Sequence, residues 1–247
     1  MKRAIILAAG IGKRLEGHSK DLPKCLLRFN ETTLLERHLG NLLDFGINEI
    51  YVVTGYKSQD IEQVISGTEA CRITQTIFNP RYSKGSHISL LSGLAFSRAG
   101  SDFILMDADV LYDKEILSRL IYTNHRNCFL LDKDFIPGDE PVKLCIKDDR
   151  IVEFRKLIDR NLQCDFQGES VGFFRFSSEI ADKMIDSINI YIERGDEDSP
   201  YEEIIRDILL ENPDDFGFED ITGLPWIEID FREDVQRAQL EILPLID

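Results

Sequence analysis

The residues best suited to chemistry lie in a glycine-rich loop near the start of the chain. The loop follows the apolar run Ala4–Leu7, which has the pattern of a buried strand. Its small and cationic residues are Ala8, Ala9, Gly10, Gly12, Lys13 and Arg14. Without large side chains, a backbone can approach an anion closely and point its N–H groups at phosphate oxygens. Lys13, Arg14 and, in the pair Pro23-Lys24, Lys24 add positive charge, so this region predicts a triphosphate site.

Other interpretations of the glycine pair depend on its spacing. A dinucleotide-binding turn requires Gly-x-Gly-x-x-Gly, and Leu15 occupies the position of the third glycine. A P-loop requires a longer loop that ends in Gly-Lys-Ser or Gly-Lys-Thr, and that ending is absent from the sequence here. For the two glycines alone, an ordinary strand-to-loop turn stays open.

Two pairs of carboxylates supply the second chemical feature. Asp107 and Asp109 follow an apolar run, and Glu228 and Asp230 lie in a short alternating segment. Alternation along a strand places both members of a pair on one side, where they repel each other unless a cation lies between them. Mg²⁺ prefers such oxygen ligands together with phosphate. We expect Asp107 and Asp230 to hold Mg²⁺ at the triphosphate, with Asp109 and Glu228 as outer or alternative ligands; the other interpretation of each pair is a solvated turn.

An alternation of strands and helices must position these residues. The strand patterns of the first half are Ala4–Leu7, Ile50–Val53, Ile73–Phe78 and Phe103–Met106. Helical spacing of apolar residues separates them, which predicts an α/β, Rossmann-like fold with a mostly parallel mixed sheet flanked by helices. Ligands of such sheets bind beyond the carboxyl ends of the strands, where the glycine loop and Asp107 are expected.

Beyond residue 131 the pattern becomes antiparallel. Val142–Ile146 and Ile151–Phe154 flank a polar turn and predict a hairpin. Since the sequence contains no repeat and no linker, we expect one domain with a small antiparallel sheet region. Residues 1–131 would form its nucleotide-binding half and residues 132–247 its acceptor-binding half.

The composition of the chain limits the kinds of partner that we expect. The 247 residues include 43% hydrophobic side chains and carry a formal net charge of −16. An acidic chain is a poor partner for nucleic acid, whereas a locally basic loop suits a small anionic ligand. No apolar stretch is long enough to span a membrane, and Met1-Lys2-Arg3 leads directly into a strand pattern, so we expect a cytoplasmic protein without a membrane partner. The five widely spaced cysteines are accordingly expected to be reduced thiols; a homodimer is left open.

The complete string of motifs resembles a known family. The chain is similar over nearly its whole length to the phosphocholine-type cytidylyltransferases of the nucleotidyltransferase superfamily, whose relatives act on 2-aminoethylphosphonate or inositol phosphate. The motifs that carry the resemblance are Leu7-Ala8-Ala9-Gly10-x-Gly12-x-Arg14, Pro23-Lys24, Thr54-Gly55-Tyr56, Asn79-Pro80-x-Tyr82, Asp107-Ala108-Asp109, Lys156, Gly168-Glu169-Ser170-Val171-Gly172 and Trp226-x-Glu228-x-Asp230. The resemblance implies the nucleotide-diphospho-sugar transferase fold.

The resemblance also implies roles for individual residues. The triphosphate loop would comprise Leu7, Ala8, Ala9, Gly10, Gly12, Lys13 and Arg14. Lys24 would face the α-phosphate, and Gly55, Tyr56 and Asn79 would surround the base and ribose. Asp107 and Asp230 match the metal ligands, and Lys156 matches a basic residue near the acceptor phosphate. Arg155 stands where the family often carries a glycine. Because of this departure, the sequence does not decide whether Arg155 or Lys156 contacts the acceptor phosphate.

The acceptor pocket is predicted from residue chemistry. A quaternary amine prefers aromatic faces with carboxylates nearby. Glu169, Tyr201, Glu202 and Trp226 could supply them, although core packing and a helix N-terminal charge are the alternatives. The substrates would be CTP and a phospho-alcohol or phosphonate such as phosphocholine, with 2-aminoethylphosphonate, inositol 1-phosphate or a sugar 1-phosphate as alternative acceptors. A nucleotide-binding module without chemistry is the alternative of a different class.

Overall fold

The centre of the structure is a nine-stranded mixed sheet. The structure is a computed structural model and describes residues 2–12, 14, 22–96 and 102–246. Its strands are β1 (Arg3–Ala8), β2 (Arg28–Phe29), β3 (Thr32–Thr33), β4 (Glu49–Thr54), β5 (Thr74–Phe78), β6 (Phe103–Asp107), β7 (Val110–Tyr112), β8 (Asn127–Asp132), β9 (Lys143–Lys147), β10 (Arg150–Arg155), β11 (Phe166–Phe176), β12 (Phe216–Asp220) and β13 (Trp226–Glu228). The central sheet has the order β10-β9-β11-β6-β1-β4-β5, with β8 paired to β11 and β12 paired to β8. Two short pairs, β2–β3 and β7–β13, lie outside it.

The parallel part of this sheet is formed by the first half of the chain. β1 lies between β4 and β6 and is parallel to both, and β5 continues the parallel order beyond β4. β11 runs antiparallel to β6, β8 and β9 and so joins the parallel strands to the β9–β10 hairpin. Asp148 and Asp149 both adopt positive φ in the hairpin turn, which is the conformation that a two-residue turn between twisted strands favours. The predicted hairpin is confirmed.

Helices cover both faces of the sheet. They are α1 (Leu34–Asp44), α2 (Ser58–Ser66), α3 (Ser86–Phe96), α4 (Lys114–Tyr122), α5 (Ser178–Glu193), α6 (Tyr201–Glu211), α7 (Arg232–Arg237) and α8 (Leu243–Ile246), with a π-helical stretch at Ala238–Ile242. Along β1, Ala4 and Ile6 pack into one core with α1, α2 and α4, whereas Ile5 packs into the other with α3, α5 and α6. Since alternate side chains of a strand point to opposite faces, a strand covered on both sides must be apolar throughout. The predicted α/β fold is confirmed.

Two of the five cysteines are not reduced thiols. Cys145 of β9 and Cys164, just before β11, form a disulfide with their Cα atoms 5.6 Å apart. The prediction of five free thiols is therefore wrong for this pair and holds for Cys25, Cys71 and Cys128. The two residues are 19 positions apart in sequence, and they meet only because β9 and β11 pair side by side.

Among the described residues, no helix is both long enough and apolar enough to cross a bilayer.

Candidate active site

The glycine-rich loop leaves the carboxyl end of β1, as expected. Ala9 accepts a hydrogen bond from the backbone N–H of Tyr56 at 3.2 Å, which joins the loop to the end of β4. Gly12 has a φ of +66°, a backbone conformation that favours glycine, and a Cβ there would make a tight contact of 3.0 Å with Cγ of Lys24. Lys13, the predicted cation of this loop, lies outside the described residues.

Three carboxylates converge beside this loop. One oxygen from each of Asp109, Glu228 and Asp230 lies within 4.8 Å of the others, a spacing that could hold a metal ion. The cause is the β7–β13 pair, in which Glu228 is the register partner of Val110 and the N–H of Ile229 donates to the carbonyl of Asp109 at 2.9 Å. The two acidic pairs predicted from the sequence thus meet across one short antiparallel ladder.

Two cations neutralise part of this cluster. The Lys24 ammonium lies 2.9 Å from Asp109 and 2.6 Å from Asp230, and Arg14 Nη1 lies 3.1 Å from Asp230. Burial alone would lower the pKa of Lys24, but the two carboxylates outweigh it and hold that pKa well above its usual value. Burial would likewise raise the pKa of Asp230, yet Lys24 and Arg14 lower it. Lys24 and Asp230 are therefore charged at neutral pH.

Asp107 is held apart from the three converging oxygens. Its Oδ2 accepts a hydrogen bond of 2.5 Å from the hydroxyl of Tyr201, the first residue of α6. Gly172 packs against the same oxygen at a φ of +77°, and a Cβ at position 172 would collide with it. Burial, followed by the charges of Asp109 and Glu202, raises the pKa of Asp107. The structure therefore places Asp107 beside the cluster, fixed by β11 and α6; its role as a metal ligand stays a prediction.

The donor set fits a divalent cation. Glu228 is exposed as a residue, but loss of water around its carboxyl group, followed by the charges of Asp109, Asp230 and Asp107, raises its pKa above the usual value. Four carboxyl groups thus crowd around two cations, Lys24 and Arg14, and the raised pKa values of Asp107 and Glu228 show that the group resists full ionisation as it stands. A divalent cation would stabilise the ionised forms, and carboxylate oxygens are ligands that Mg²⁺ prefers.

A first cavity of about 270 Å³ lies between the glycine loop, α3 and the start of α6. Its lining includes Leu7, Ala8, Ala9, Gly10, Lys24, Tyr82, Lys84, Ser86, Asp107, Asp109, Tyr201, Glu202 and Glu228. Lys84 and Ser86 were not among the predicted site residues; the only signal for them is the polar loop that follows Asn79. Glu202 Oε2 is buried and has no hydrogen-bond partner among the described residues, and burial raises the pKa of this carboxyl.

The residues predicted to surround the base support the cavity wall. The Asn79 side chain is buried, donates to Ser89 Oγ at 3.0 Å and accepts from the N–H of Arg81 at 2.8 Å. A Cβ at Gly55 would collide with Tyr82, so this glycine lets the tyrosine ring pack against the end of β4. Asn79 and Gly55 therefore position the loop that carries Tyr82 and Lys84.

A second cavity of about 350 Å³ lies on the other side of Glu228 and Asp230. It is lined by Asp132, the segment Asp134–Pro141, Glu169, Trp226, Ile227, Glu228, Asp230, Phe231, Asp234 and Arg237. The Trp226 indole donates to Asp132 at 2.7 Å, and Glu169 faces Asp132 directly across the β11–β8 pair. Burial and the charge of Asp132 raise the pKa of Glu169 to about 7. The residues predicted for the acceptor are thus divided: Glu169 and Trp226 line this cavity, whereas Tyr201 and Glu202 line the first.

The structure separates two neighbouring cations, Arg155 at the end of β10 and Lys156 just after it. Arg155 forms a two-point ion pair with Glu203 of α6 at 2.8 and 3.0 Å. The Lys156 ammonium instead lies 3.5 Å from Glu140, and its charge acts on both Glu202 and Glu169. Lys156 is therefore the cation that faces the site.

The fold and this arrangement of loop, carboxylates and cations are those of a nucleotidyltransferase. Residues 4–148 match the MobA-like NTP transferase domain family, and the chain belongs to that family within the nucleotidyltransferase superfamily.

Individual relatives are similar over most of the chain. The CTP:phosphoglutamine cytidylyltransferase of Campylobacter jejuni is 26% identical over 258 aligned residues, which cover 96% of this chain and 99% of that protein. Among solved structures, the inositol-1-phosphate CTP transferase of T. maritima superposes with a TM-score of 0.79 at 22% identity, covering 100% of this chain and 96% of that one. The CTP:phosphocholine cytidylyltransferase of Streptococcus pneumoniae gives 0.73 at 20% identity, covering 97% and 98%. The two structures show that the fold is shared.

Proposed function

We propose that this protein is a Mg²⁺-dependent cytidylyltransferase that transfers the cytidylyl group of CTP to a small phosphorylated or phosphonate acceptor with a cationic group, such as phosphocholine. The observation that carries the proposal is the cluster of Asp109, Glu228 and Asp230 with Lys24 and Arg14. It lies between two cavities, one reached by the glycine loop and one acidic and aromatic. The names of the relatives support CTP as the nucleotide.

The residues suit an in-line displacement at phosphorus. An oxygen of the acceptor phosphate attacks the α-phosphorus of CTP, and pyrophosphate leaves. Since the attacking phosphate is ionised near neutral pH, no general base is required. Lys24 and Arg14, with Lys13, would neutralise the charge that develops, and Lys156 would orient the acceptor phosphate.

The metal would be held by Asp109, Glu228 and Asp230. When bound, Mg²⁺ supplies charge neutralisation at the phosphate oxygens. We propose that Asp107, bonded to Tyr201 and backed by Gly172, orients this cluster. This proposal differs from the expectation from the sequence, in which Asp107 and Asp230 were the ligands and Asp109 and Glu228 were outer or alternative ones.

The second cavity favours a cationic acceptor. Asp132 and Glu169 face each other across neighbouring strands, and Lys143, the β9 partner of Glu169, together with Arg237 and Lys156, offsets part of their charge. The lining of the cavity is nevertheless acidic, since its carboxyl side chains outnumber Arg237. Trp226, Phe135 and Phe231 add aromatic surface to the same cavity, and aromatic faces attract quaternary amines. We therefore propose residues 132–247 as the source of most acceptor contacts, and the glycine loop with the residues up to 131 as the main nucleotide-binding part.

The test of this function is an assay of pyrophosphate release. We expect release with CTP, Mg²⁺ and phosphocholine or 2-aminoethylphosphonate, and little with inositol 1-phosphate or glucose 1-phosphate. Release only with inositol 1-phosphate or glucose 1-phosphate, which have no cationic group, would contradict the proposed headgroup while keeping the transferase. CTP binding without release across the whole panel would favour a nucleotide-binding module.

Glu169 should make acceptor binding depend on pH. Because its pKa is raised to about 7, Glu169 is ionised above that pH and neutral below it. A cationic acceptor therefore loses one attractive charge as the pH falls from 8 to 6, and we expect its KM to rise about three- to ten-fold. The measurement is the pH profile of the acceptor KM.

The matched control is Glu169→Gln. The phosphate of the acceptor titrates near the same pH, so only the difference between the two proteins reports Glu169. The variant should have a raised KM at pH 8 and a flatter profile. Parallel profiles for the two proteins would remove Glu169 from acceptor recognition.

A further inference from the structure

A single carboxylate oxygen bridges two of the cations that the proposed function places at the reacting phosphates. Glu140 Oε2 lies 2.9 Å from Arg14 Nη1 and 3.5 Å from Lys156 Nζ. Arg14 comes from the glycine loop and Lys156 from the position just after β10, so Glu140 connects the nucleotide side of the site to the acceptor side. The two cations have no other common ion-pair partner among the described residues.

We propose that Glu140 occupies the place of a substrate phosphate between Arg14 and Lys156, and that it must leave this place before phosphate can bind. The inference rests on the proposed function, and it identifies Glu140 as a residue that sets the selectivity of the site for phosphate. A carboxylate and a phosphate both present oxygens that accept charge-assisted hydrogen bonds from a guanidinium. Glu140 therefore competes with substrate for the same donors.

The ion pairs of Glu140 are of the kind that substrate can replace. The side chains of Arg14, Lys156 and Glu140 are 48%, 43% and 53% exposed. Exposed pairs are weak because water screens them and both side chains lose freedom in forming them. A phosphate dianion carries more charge than one carboxylate, so it can displace Glu140, whereas a monoanionic or neutral compound competes less well.

Glu140 lies in a connecting segment that can change its conformation without breaking the hydrogen bonds of the sheet. The segment 133–142 connects β8 to β9. At one end the N–H of Asp134 donates to Asp132 at 2.9 Å, and at the other Lys143 Nζ donates to the carbonyl of Pro141 at 3.1 Å. Among the described residues of this segment, Lys133 at its start pairs with Asp220 at 2.7 Å. From Asp134 to Pro141, the side-chain ion pairs are those of Glu140. Release of Glu140 would free the middle of the segment and widen the second cavity.

The test measures the binding of inorganic phosphate and of pyrophosphate by titration calorimetry. Glu140→Gln should bind both about three- to ten-fold more tightly than the unaltered protein, since one exposed ion-pair competitor is removed. Glu179→Gln is the matched control: it makes the same change of charge and breaks an exposed 2.6 Å ion pair to Arg126, far from the site. It should leave phosphate binding unchanged. Equal or weaker binding to Glu140→Gln, or equal gains in both variants, would overturn the proposal.

Hydrogen exchange provides a second readout that needs no turnover. In the unaltered protein, saturating inorganic phosphate should speed amide exchange within residues 135–140, because Glu140 is displaced. In Glu140→Gln this exchange should be fast from the start, and slower exchange on adding phosphate to the unaltered protein would contradict the displacement. Neither readout involves CTP. A failed pyrophosphate-release assay with these two results intact would overturn the proposed reaction and leave the competition by Glu140 standing.

Discussion

Replacing Asp230 by asparagine is expected to reduce kcat by about 10³-fold or more while leaving the fold intact. Among the described residues, Asp230 is the one that bonds both Lys24 and Arg14 and also belongs to the carboxylate cluster. Its loss removes a ligand from the proposed Mg²⁺ site and a partner from both cations, and a catalytic metal contributes several kcal/mol of transition-state stabilisation. Asp109→Asn should have a similar effect. The measurement is kcat as a function of Mg²⁺ concentration.

Asp107→Asn is the comparison that distinguishes a positioning residue from a metal ligand. If Asp107 orients the cluster through Tyr201, this variant should slow turnover by about 10- to 100-fold and keep the apparent Mg²⁺ affinity. Asp214→Asn, which changes an exposed carboxylate paired with Arg150, should have no effect on either quantity. A shift in Mg²⁺ affinity in Asp107→Asn but not in Asp109→Asn would restore the ligand pair expected from the sequence.

Alanine at Gly172 is expected to impair both stability and turnover. The position has a φ of +77°, where a Cβ is strained by about 1–2 kcal/mol, and the added atom would collide with the carboxylate of Asp107. We expect the free energy of unfolding to fall by about 2–5 kcal/mol, which combines this strain with the roughly 1–3 kcal/mol of an overpacked core, and kcat to fall with it. Urea unfolding and steady-state kinetics on the same preparation measure both effects.

Gly223→Ala separates backbone strain from displacement of Asp107. Gly223 has a φ of +86°, but a Cβ there would meet no atom within 4 Å. The variant should lose only the strain energy and retain full activity. If Gly172→Ala lost no more stability than Gly223→Ala and kept its activity, the contact between β11 and Asp107 would have no functional role.

The fold could be predicted because its evidence is local. Apolar runs of strand length alternate with helical spacing, and each pattern reflects burial on the faces that the structure shows, as the division of Ala4, Ile5 and Ile6 between two cores illustrates. The Cys145–Cys164 disulfide could not be predicted, because it depends on the register of β9 against β11. No local pattern encodes a contact between strands.

The site was predicted in its parts and less well in its assembly. The glycine loop and both acidic pairs were found, but the rule of alternation holds only within a strand. β6 ends at Asp107, so Asp109 lies in the turn before β7 and turns toward Glu228 and Asp230, while Asp107 bonds Tyr201. Tyr201 and Glu202 reach the first cavity because the backbone N–H of Tyr201 donates a hydrogen bond of 2.8 Å to Ser86 Oγ of α3. The two residues are 115 positions apart in sequence. Sequence spacing contains no signal for it.

The long strand β11 also limits how the protein can move during a reaction cycle. Its start pairs with β9, its end with β6, and its other edge with β8, so a single strand holds both sides of the site in one hydrogen-bonded frame. A hinge opening between the two sides would break main-chain hydrogen bonds along this strand. We therefore expect a nearly rigid scaffold with a constant separation between the two cavities, in which substrates enter and products leave by rearrangement of surface segments alone.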